Sequence, residues 1–482
     1  MKRSPWLGLA ALLLLCSITL FFGLGRVPFL GPDEPRYAEI AREMWVNSDY
    51  VSPRLAGRLW FEKAPLLYWG QAFFYSIFGP TELAARLPSA FGALLAVLML
   101  WGAARRAFGE RGAFYVGVVA ATQVPFIAFS HGGSTDMPLC AMLAGAIVCL
   151  WHSRQSEKTS FGWLLGSAAF TAGAMLAKGL IGPLLVTLVG GAWWLWAKPT
   201  VKLKPLQLVA ALAVFFAVSA TWYWPVWATH GSVFYEEFFV NHHFKRYTSN
   251  EYNHPQPFYF YLVIGPLATL PWLLWLVGAA RQLPKLKPRL DARQSLIALG
   301  WAWAIVPIAF FSISGSKLPS YMLPSFPGFA IVIGEALSRG VFLPKSIKPK
   351  WAAATGAGLM SLVVLYAFLV YAPAREEKLS TKALCLRVAQ KMAPGEKATL
   401  FRLPKDYDPV FYLEGRMVVG TGKRDIFYAQ EVAEFVPMLK DGSLLVFANN
   451  REASLLEESS LFQATFLDRD DKLSVFRLRK RS

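Results

Sequence analysis

The feature that most constrains this chain is a series of apolar segments, most close to twenty residues long, joined by short polar connections. A helix of about twenty apolar residues crosses the ~30 Å hydrocarbon layer of a membrane, and lipid leaves backbone groups no partner but each other. The first such segment lies within residues 1–25. Others fall at 84–104, 112–130, 135–152, 161–177, 180–197, 206–228, 258–280, 295–313, 319–337 and 351–371, eleven in all. Composition agrees: 55% of the 482 residues are hydrophobic, 17% are charged, and mean hydropathy is +0.37. A soluble chain of this length carries more charge. The sequence therefore predicts a polytopic α-helical membrane protein with about eleven to thirteen transmembrane helices.

The start has the charges and apolar run of a signal peptide. Its run is long enough to span, however, and Leu15 before Cys16 is too large for a cleavage site. We expect an uncleaved first helix. The four cysteines form no metal-binding spacing, and Cys140 to Cys149 along one helix is ~13.5 Å, too far for a disulfide. The net charge of +18 sits largely in short loops between apolar runs, a mark of membrane topology and not of nucleic-acid binding.

Those loops set the threading. Segment 64–79, "APLLYWGQAFFYSIFG", is short and reads as interfacial. Loops 1–5, 105–111, 153–160, 198–205, 281–294 and 338–350 then face the cytoplasm, with 19 Lys and Arg against three acids. Residues 26–63, 131–135, the Lys178–Gly179 turn, 229–257 and 314–318 face outward. So does 373–482, where stretches such as "KATLFRL" and "GSLLVFA" alternate with helical patterns, as in a small α/β domain. We thus divide the chain into a membrane domain, 1–372, whose first outer loop is 26–63, and an extracytoplasmic α/β domain, 373–482.

Nearly every unusual polar group of the membrane part belongs to an outward segment. In "DEPRYAEIAREM", Tyr37, Ile40, Ala41 and Met44 form one apolar stripe, with Arg36, Glu39 and Glu43 opposite. Taken alone, this is a surface helix with Asp33 as its cap, ahead of Glu34 and Pro35. "FEKAP" adds Glu62 and Lys63, "STDMPL" Asp136, "LAKG" Lys178, "NHHFKRY" His242, His243, Lys245 and Arg246, and "SKLPSYM" Lys317 and Tyr321. Each has a bland reading, as a cap, a snorkelling lysine or an interfacial anchor. Their convergence on one face is harder to explain that way, because ionisable groups at membrane depth are costly unless they line a site. Lysines and arginine suit an anionic phosphate; carboxylates and histidine suit a divalent metal or a general base.

In this order, "DEPRYAEIAREM", "EKAPLLYW", "STDMPL", "LAKG", "HHFKRY" and "KLPSYMLP" resemble the aminoarabinose transferases that modify lipid A, within the protein mannosyltransferase-like GT-C glycosyltransferases. The resemblance covers about residues 5 to 340. It implies a polyprenyl (undecaprenyl) phosphate-linked sugar donor and an acceptor such as lipid A or another envelope glycan. The active site and C-terminal domain would lie on the periplasmic side of the bacterial inner membrane. No nucleotide cofactor is implied, and no Gly-rich phosphate loop occurs. It further implies Asp33, Glu34, Arg36 and Asp136 as catalytic residues, and Lys63, Lys178, Arg246, Lys317 and Tyr321 as substrate-binding residues. Glu62 and His243 would hold a divalent metal, Zn²⁺ or Mg²⁺/Mn²⁺. Membrane lipids are expected partners and a monomer the expected state. A protein O-mannosyltransferase-like or O-antigen-modifying enzyme is the alternative. A transporter would carry polar helices near mid-membrane, whereas here the charges cluster at one face.

Overall fold

The computed structural model describes residues 5–155, 159–199, 203–245, 256–281, 283, 290–341, 348–404, 406–420 and 426–481. Its contacts divide the chain into two compact units. One comprises Met1–Phe22, Phe61–Leu67 and Arg86–Tyr366; the other comprises Gly23–Trp60, Tyr68–Ala85 and Ala367–Ser482.

The first unit is helical, built around an apolar core that includes Val116, Leu143, Trp151, Trp193, Trp303 and Ile331. Small residues let the helices meet closely, as expected where lipid offers no hydrophobic drive between them. A Cβ on Gly334 would lie 2.5 Å from the Val116 Cα, and one on Gly328 would lie 2.4 Å from the Ala304 nitrogen. Three buried indoles find hydroxyl partners: Trp151 and Trp193 donate to the Ser295 hydroxyl at 3.3 and 3.2 Å, and Trp272 to that of Thr122 at 3.0 Å. Among the described residues, five helices are long and apolar enough to cross a membrane: Glu82–Thr122, Asp136–Ser153, Pro205–Asn241, Ala292–Ile313 and Pro349–Tyr371. Helices Trp6–Phe21 and Ile181–Ala197 are apolar but shorter. Exposed Leu206, Phe216, Trp224 and Trp227 give Pro205–Phe234 a face suited to lipid.

Several expected segments are interrupted. Residues 84–104 and the first part of 112–130 are joined in Glu82–Thr122, which breaks at Gly109 (φ 74°, ψ −178°) inside the expected loop 105–111, while the rest of 112–130 forms a separate helix, Val124–Ser130. Segment 258–280, expected as one helix, is two, Phe260–Leu267 and Leu273–Ala280. Pro271 lies in the gap between them and has no N–H to carry a helix through. Segment 319–337 opens as a 3₁₀ turn, Pro319–Ser325, before helix Phe326–Ser338. The short interfacial segment forms Leu66–Phe78, and 13 residues make ~20 Å of helix, too little to span.

The second unit joins Gly23–Trp60 and Tyr68–Ala85 to the C-terminal residues, so contacts do not separate the chain at residue 372 as expected. The reason is helix Asp33–Asn47. Its apolar stripe is buried, with Tyr37 3%, Ile40 0% and Met44 1% exposed, but so is its charged side, with Glu39 0% and Glu43 8% exposed. Part of the C-terminal region covers that side: a Cβ on Gly415 would lie 2.8 Å from Arg42 Nη2 and 3.0 Å from Glu39 Oε1. The helix is an internal element of a mixed domain.

That domain contains the expected α/β fold. Strands β1 (Lys397–Phe401), β2 (Tyr428–Ala429), β3 (Leu444–Asn449), β4 (Phe462–Arg469) and β5 (Leu473–Lys480) form one sheet in the order β2-β1-β3-β5-β4. Strand β1 is parallel to β2 and β3, whereas β5 is antiparallel to β3 and β4. Strand β3 reads "LLVFAN" and is buried at every residue but Asn449, the run expected of a strand covered on both faces.

Candidate functional site

The candidate residues fall in both units. In the second, Asp33 is the first residue of its helix and Pro32 takes the cap position without a side-chain bond, so the cap reading of Asp33 does not hold. Glu34 turns back instead, its carboxylate accepting from the Leu30 N–H at 2.8 Å. Asp33 is left with a 60% exposed side chain and a 2.5 Å bond from Arg36. Arg36 is held in turn by rings: its guanidinium carbon lies 5.1 Å from the centre of Tyr37, 5.2 Å from Trp60 and 5.4 Å from Tyr407. Within about 6 Å of a ring face a cation is attracted by the ring's quadrupole. An exposed carboxylate on a fixed guanidinium is thus presented at a helix start.

One turn further, Arg42 clasps Glu39 with two parallel bonds of 2.7 and 2.8 Å. Burial pushes the Glu39 carboxyl up to about 7, against the opposing pull of Arg42. Glu43 accepts from the Gly57 N–H at 3.0 Å. Sequence reading placed Glu39 and Glu43 on the helix's polar side and gave them no role. The i, i+3 spacing of Glu39 and Arg42 was the available signal, but it does not say that another part of the chain covers the pair.

In the first unit, three separate sequence motifs meet. Asp136 opens helix Asp136–Ser153, and Lys178 closes helix Phe161–Lys178, where Gly179 (φ 72°) turns the chain. The Lys178 ammonium lies 2.5 Å from the Asp136 carboxylate and 5.4 Å from the centre of the Tyr321 ring. Both charged side chains keep some exposure, 20% and 15%. Nearby in sequence to Tyr321, Lys317 is buried and donates to the Ser314 carbonyl at 2.6 Å. Glu62 and Lys63 form a separate pair at 2.6 Å. Phe61 just before them packs on His230 and Phe234, ring centres 5.2 and 5.4 Å away. Two pairs of candidate residues in the first unit, Asp136–Lys178 and Glu62–Lys63, thus each set a cation against a carboxylate, able to offer the cation to a phosphate and the carboxylate to a hydroxyl or metal.

Arg246 and the His243 side chain lie outside the described residues. Among the described residues no group of three or more His, Cys, Asp and Glu assembles as a metal site, and Glu62 is engaged with Lys63.

Residues 62–224 match the family model of dolichyl-phosphate-mannose-protein mannosyltransferases. A curated undecaprenyl phosphate-α-4-amino-4-deoxy-L-arabinose arabinosyl transferase of Pseudomonas aeruginosa is 30% identical over 360 residues, 72% of this chain and 63% of the relative. One from Erwinia tasmaniensis is 32% identical over 310 residues, 63% of this chain and 54% of the relative. The chain therefore spans less than two thirds of the length of these relatives. Among solved structures, that of ArnT from Cupriavidus metallidurans bound to undecaprenyl phosphate has a TM-score of 0.79 at 24% identity, covering 98% of this chain and 97% of that one. An oligosaccharyltransferase of Archaeoglobus fulgidus has a TM-score of 0.50 at 13% identity, covering 96% and 72%. The resemblance read from the motifs is borne out, and the fold is that of a multi-pass GT-C membrane protein with a small C-terminal sheet domain.

Proposed function

We propose that this chain is an integral membrane glycosyltransferase that moves a sugar, aminoarabinose or a hexose, from a polyprenyl-phosphate donor to an acceptor outside the inner membrane. Lipid A or another envelope glycan is the acceptor. One observation carries the reading: Asp136 and Lys178 meet at 2.5 Å, within the segment that matches lipid-phosphate-dependent mannosyltransferases. The activity for which the arabinosyl transferases are named and the undecaprenyl phosphate bound to the structural neighbour support the donor class. The positive-inside threading supports an outward site.

In this reaction an acceptor oxygen attacks the anomeric carbon. The carbon–oxygen bond to the phosphate breaks, and polyprenyl phosphate leaves with the bonding pair, with inversion. Such a leaving group needs its charge held more than it needs a proton. Pre-placed cations do this in a partly dry site without reorganising. Lys178, Lys63, Lys317 and Arg246 serve this role, with Tyr321 beside Lys178. Asp33 takes the proton of a hydroxyl acceptor, or orients a phosphate acceptor that is already ionised. Arg36 holds Asp33 through their 2.5 Å bond, and Glu34 fixes the turn ahead of it by accepting from the Leu30 N–H. A divalent metal held by Glu62 and His243 belongs to the same proposal, and would add Lewis-acid charge when bound.

The test is transfer by the purified full chain in liposomes, with radiolabelled sugar on undecaprenyl phosphate and lipid A as acceptor. Label moving to lipid A, with release of undecaprenyl phosphate, is expected. The family match at 62–224 favours one second reading, a mannosyl donor with a protein acceptor. Label moving only from mannosyl phosphate lipid to peptide would select it, and no release from any donor would overturn both.

A further inference from the structure

Away from the charged pairs, the second unit contains a cavity of about 820 Å³. Its position follows from the order of the strands. The chain leaves β1 toward β2 on one side of the sheet, and leaves β3 toward β4 and β5 on the other. In open sheets, neighbouring parallel strands whose connections depart in opposite directions leave a crevice at their carboxyl ends, and ligands bind there. The cavity opens at this point. Arg402, Asp406 and Tyr407 line it from the loop after β1, and Asn449 and Arg451 from the end of β3.

The lining has the chemistry of a sugar site. Among the described residues, the Arg451 guanidinium and Lys472 ammonium have no hydrogen-bond or ion-pair partner, and both stand exposed on the wall. Asp406 sits deeper, where burial first and the neighbouring Asp408 second push its carboxyl up to about 7. Asp408 itself is taken up by Ser380 and Thr381, at 2.6 Å to the Ser380 hydroxyl. Exposed Asp471 also lines the wall, and Lys472 acts electrostatically on Asp406 and Asp408, so the two cations do not make a polyanion site. Tyr407 offers an aromatic edge. Gly31 and Pro32 complete the wall immediately before Asp33.

We propose that this cavity binds a saccharide carrying a single phosphate, with Arg451 and Lys472 on the phosphate and Asp406 and the Asn449 amide on ring hydroxyls. It is the docking site for the sugar part of the acceptor. That role rests on the transferase reading above; the binding itself does not. The cavity wall runs into the residue before Asp33, and Tyr407 touches both the cavity and Arg36. A sugar held here lies beside the carboxylate that must meet its reacting oxygen.

The full chain in detergent is titrated with glucosamine 1-phosphate, glucosamine and inorganic phosphate, and binding is read by equilibrium dialysis. The sugar phosphate is expected to bind about ten-fold more tightly than either fragment, the scale of one charge-assisted hydrogen bond. The double substitution Arg451→Gln/Lys472→Gln, with an unchanged melting temperature, is expected to weaken it about ten-fold. Equal binding by both proteins overturns the site, and so does inorganic phosphate binding as tightly as the sugar phosphate. In the transfer assay the double variant is expected to raise the acceptor KM and leave the donor KM alone. An unmoved acceptor KM in an active enzyme overturns the docking role. If the chain transfers no sugar at all, the transferase reading falls, and the dialysis result still decides the cavity.

Discussion

The guanidinium of Arg36 lies 5.4 Å from the centre of the Tyr407 ring, so a residue just after the first apolar helix meets one from the C-terminal sheet region. Its other neighbours are Tyr37 and Trp60, and its bond goes to Asp33. A planar, weakly hydrated guanidinium suits this cage as an ammonium does not. We expect Arg36→Lys and Tyr407→Leu each to lower kcat about ten-fold with little change in donor KM, because both loosen Asp33 without touching donor. Steady-state kinetics at varied donor concentration checks this. A donor KM that rises in step would place Arg36 on the donor itself.

Asp33→Asn should leave the melting temperature unchanged, since Asp33 caps nothing and its side chain is 60% exposed. Transfer should nonetheless fall by about two powers of ten, the scale of losing a positioned acid–base group. Turnover near that of the parent protein would remove Asp33 from the chemistry.

Lys178→Met and Asp136→Asn test the central pair of the first unit. Losing either partner leaves the other without its counter-charge at a part-buried site. Each single variant is expected to lose activity about a hundred-fold, and the double variant little more than either, since contacting residues are not additive. Losses that multiply would mean that the two act on different parts of the substrate.

The metal proposal is checked by elemental analysis of the purified protein with and without bound donor. A divalent ion is expected at about one per chain with donor present. It should be lost in Glu62→Gln and in His243→Ala, each with activity lowered about ten-fold, on the scale of removing one metal ligand or its support. An ion that stays in both variants, or its absence from active protein, ends the proposal.

The sequence made the apolar helices readable because hydropathy is a local signal. Lys178 and Asp136 were each legible as an outward polar group, and the structure brings them together. Segment 258–280 misled because its hydropathy is continuous, while Pro266 and Pro271 oppose one unbroken helix. The opening helix misled for another reason. A charged stripe on an amphipathic helix is ordinarily solvated, and here it is buried by residues far along the chain. Glu39, clasped by Arg42 and fully buried, cannot be told from a surface glutamate by any window of neighbouring sequence.

The cover over Glu39 and Arg42 also has a consequence for how the protein is made. Gly415 stands against the tips of both side chains in a left-handed backbone conformation (φ 72°), so a larger residue there is strained and pushes those tips aside. Synthesis runs from the first outer loop to Gly415 only after the whole membrane part has been threaded. Until then the Glu39–Arg42 pair lacks this lid, and the loop bearing Asp33 lacks Tyr407. Reactivity is thereby deferred to the end of assembly: a chain stopped at residue 372 is expected to insert in the membrane yet leave its first loop open to protease. A chain built this way completes the surroundings of Asp33 only when the region around Tyr407 and Gly415 has folded.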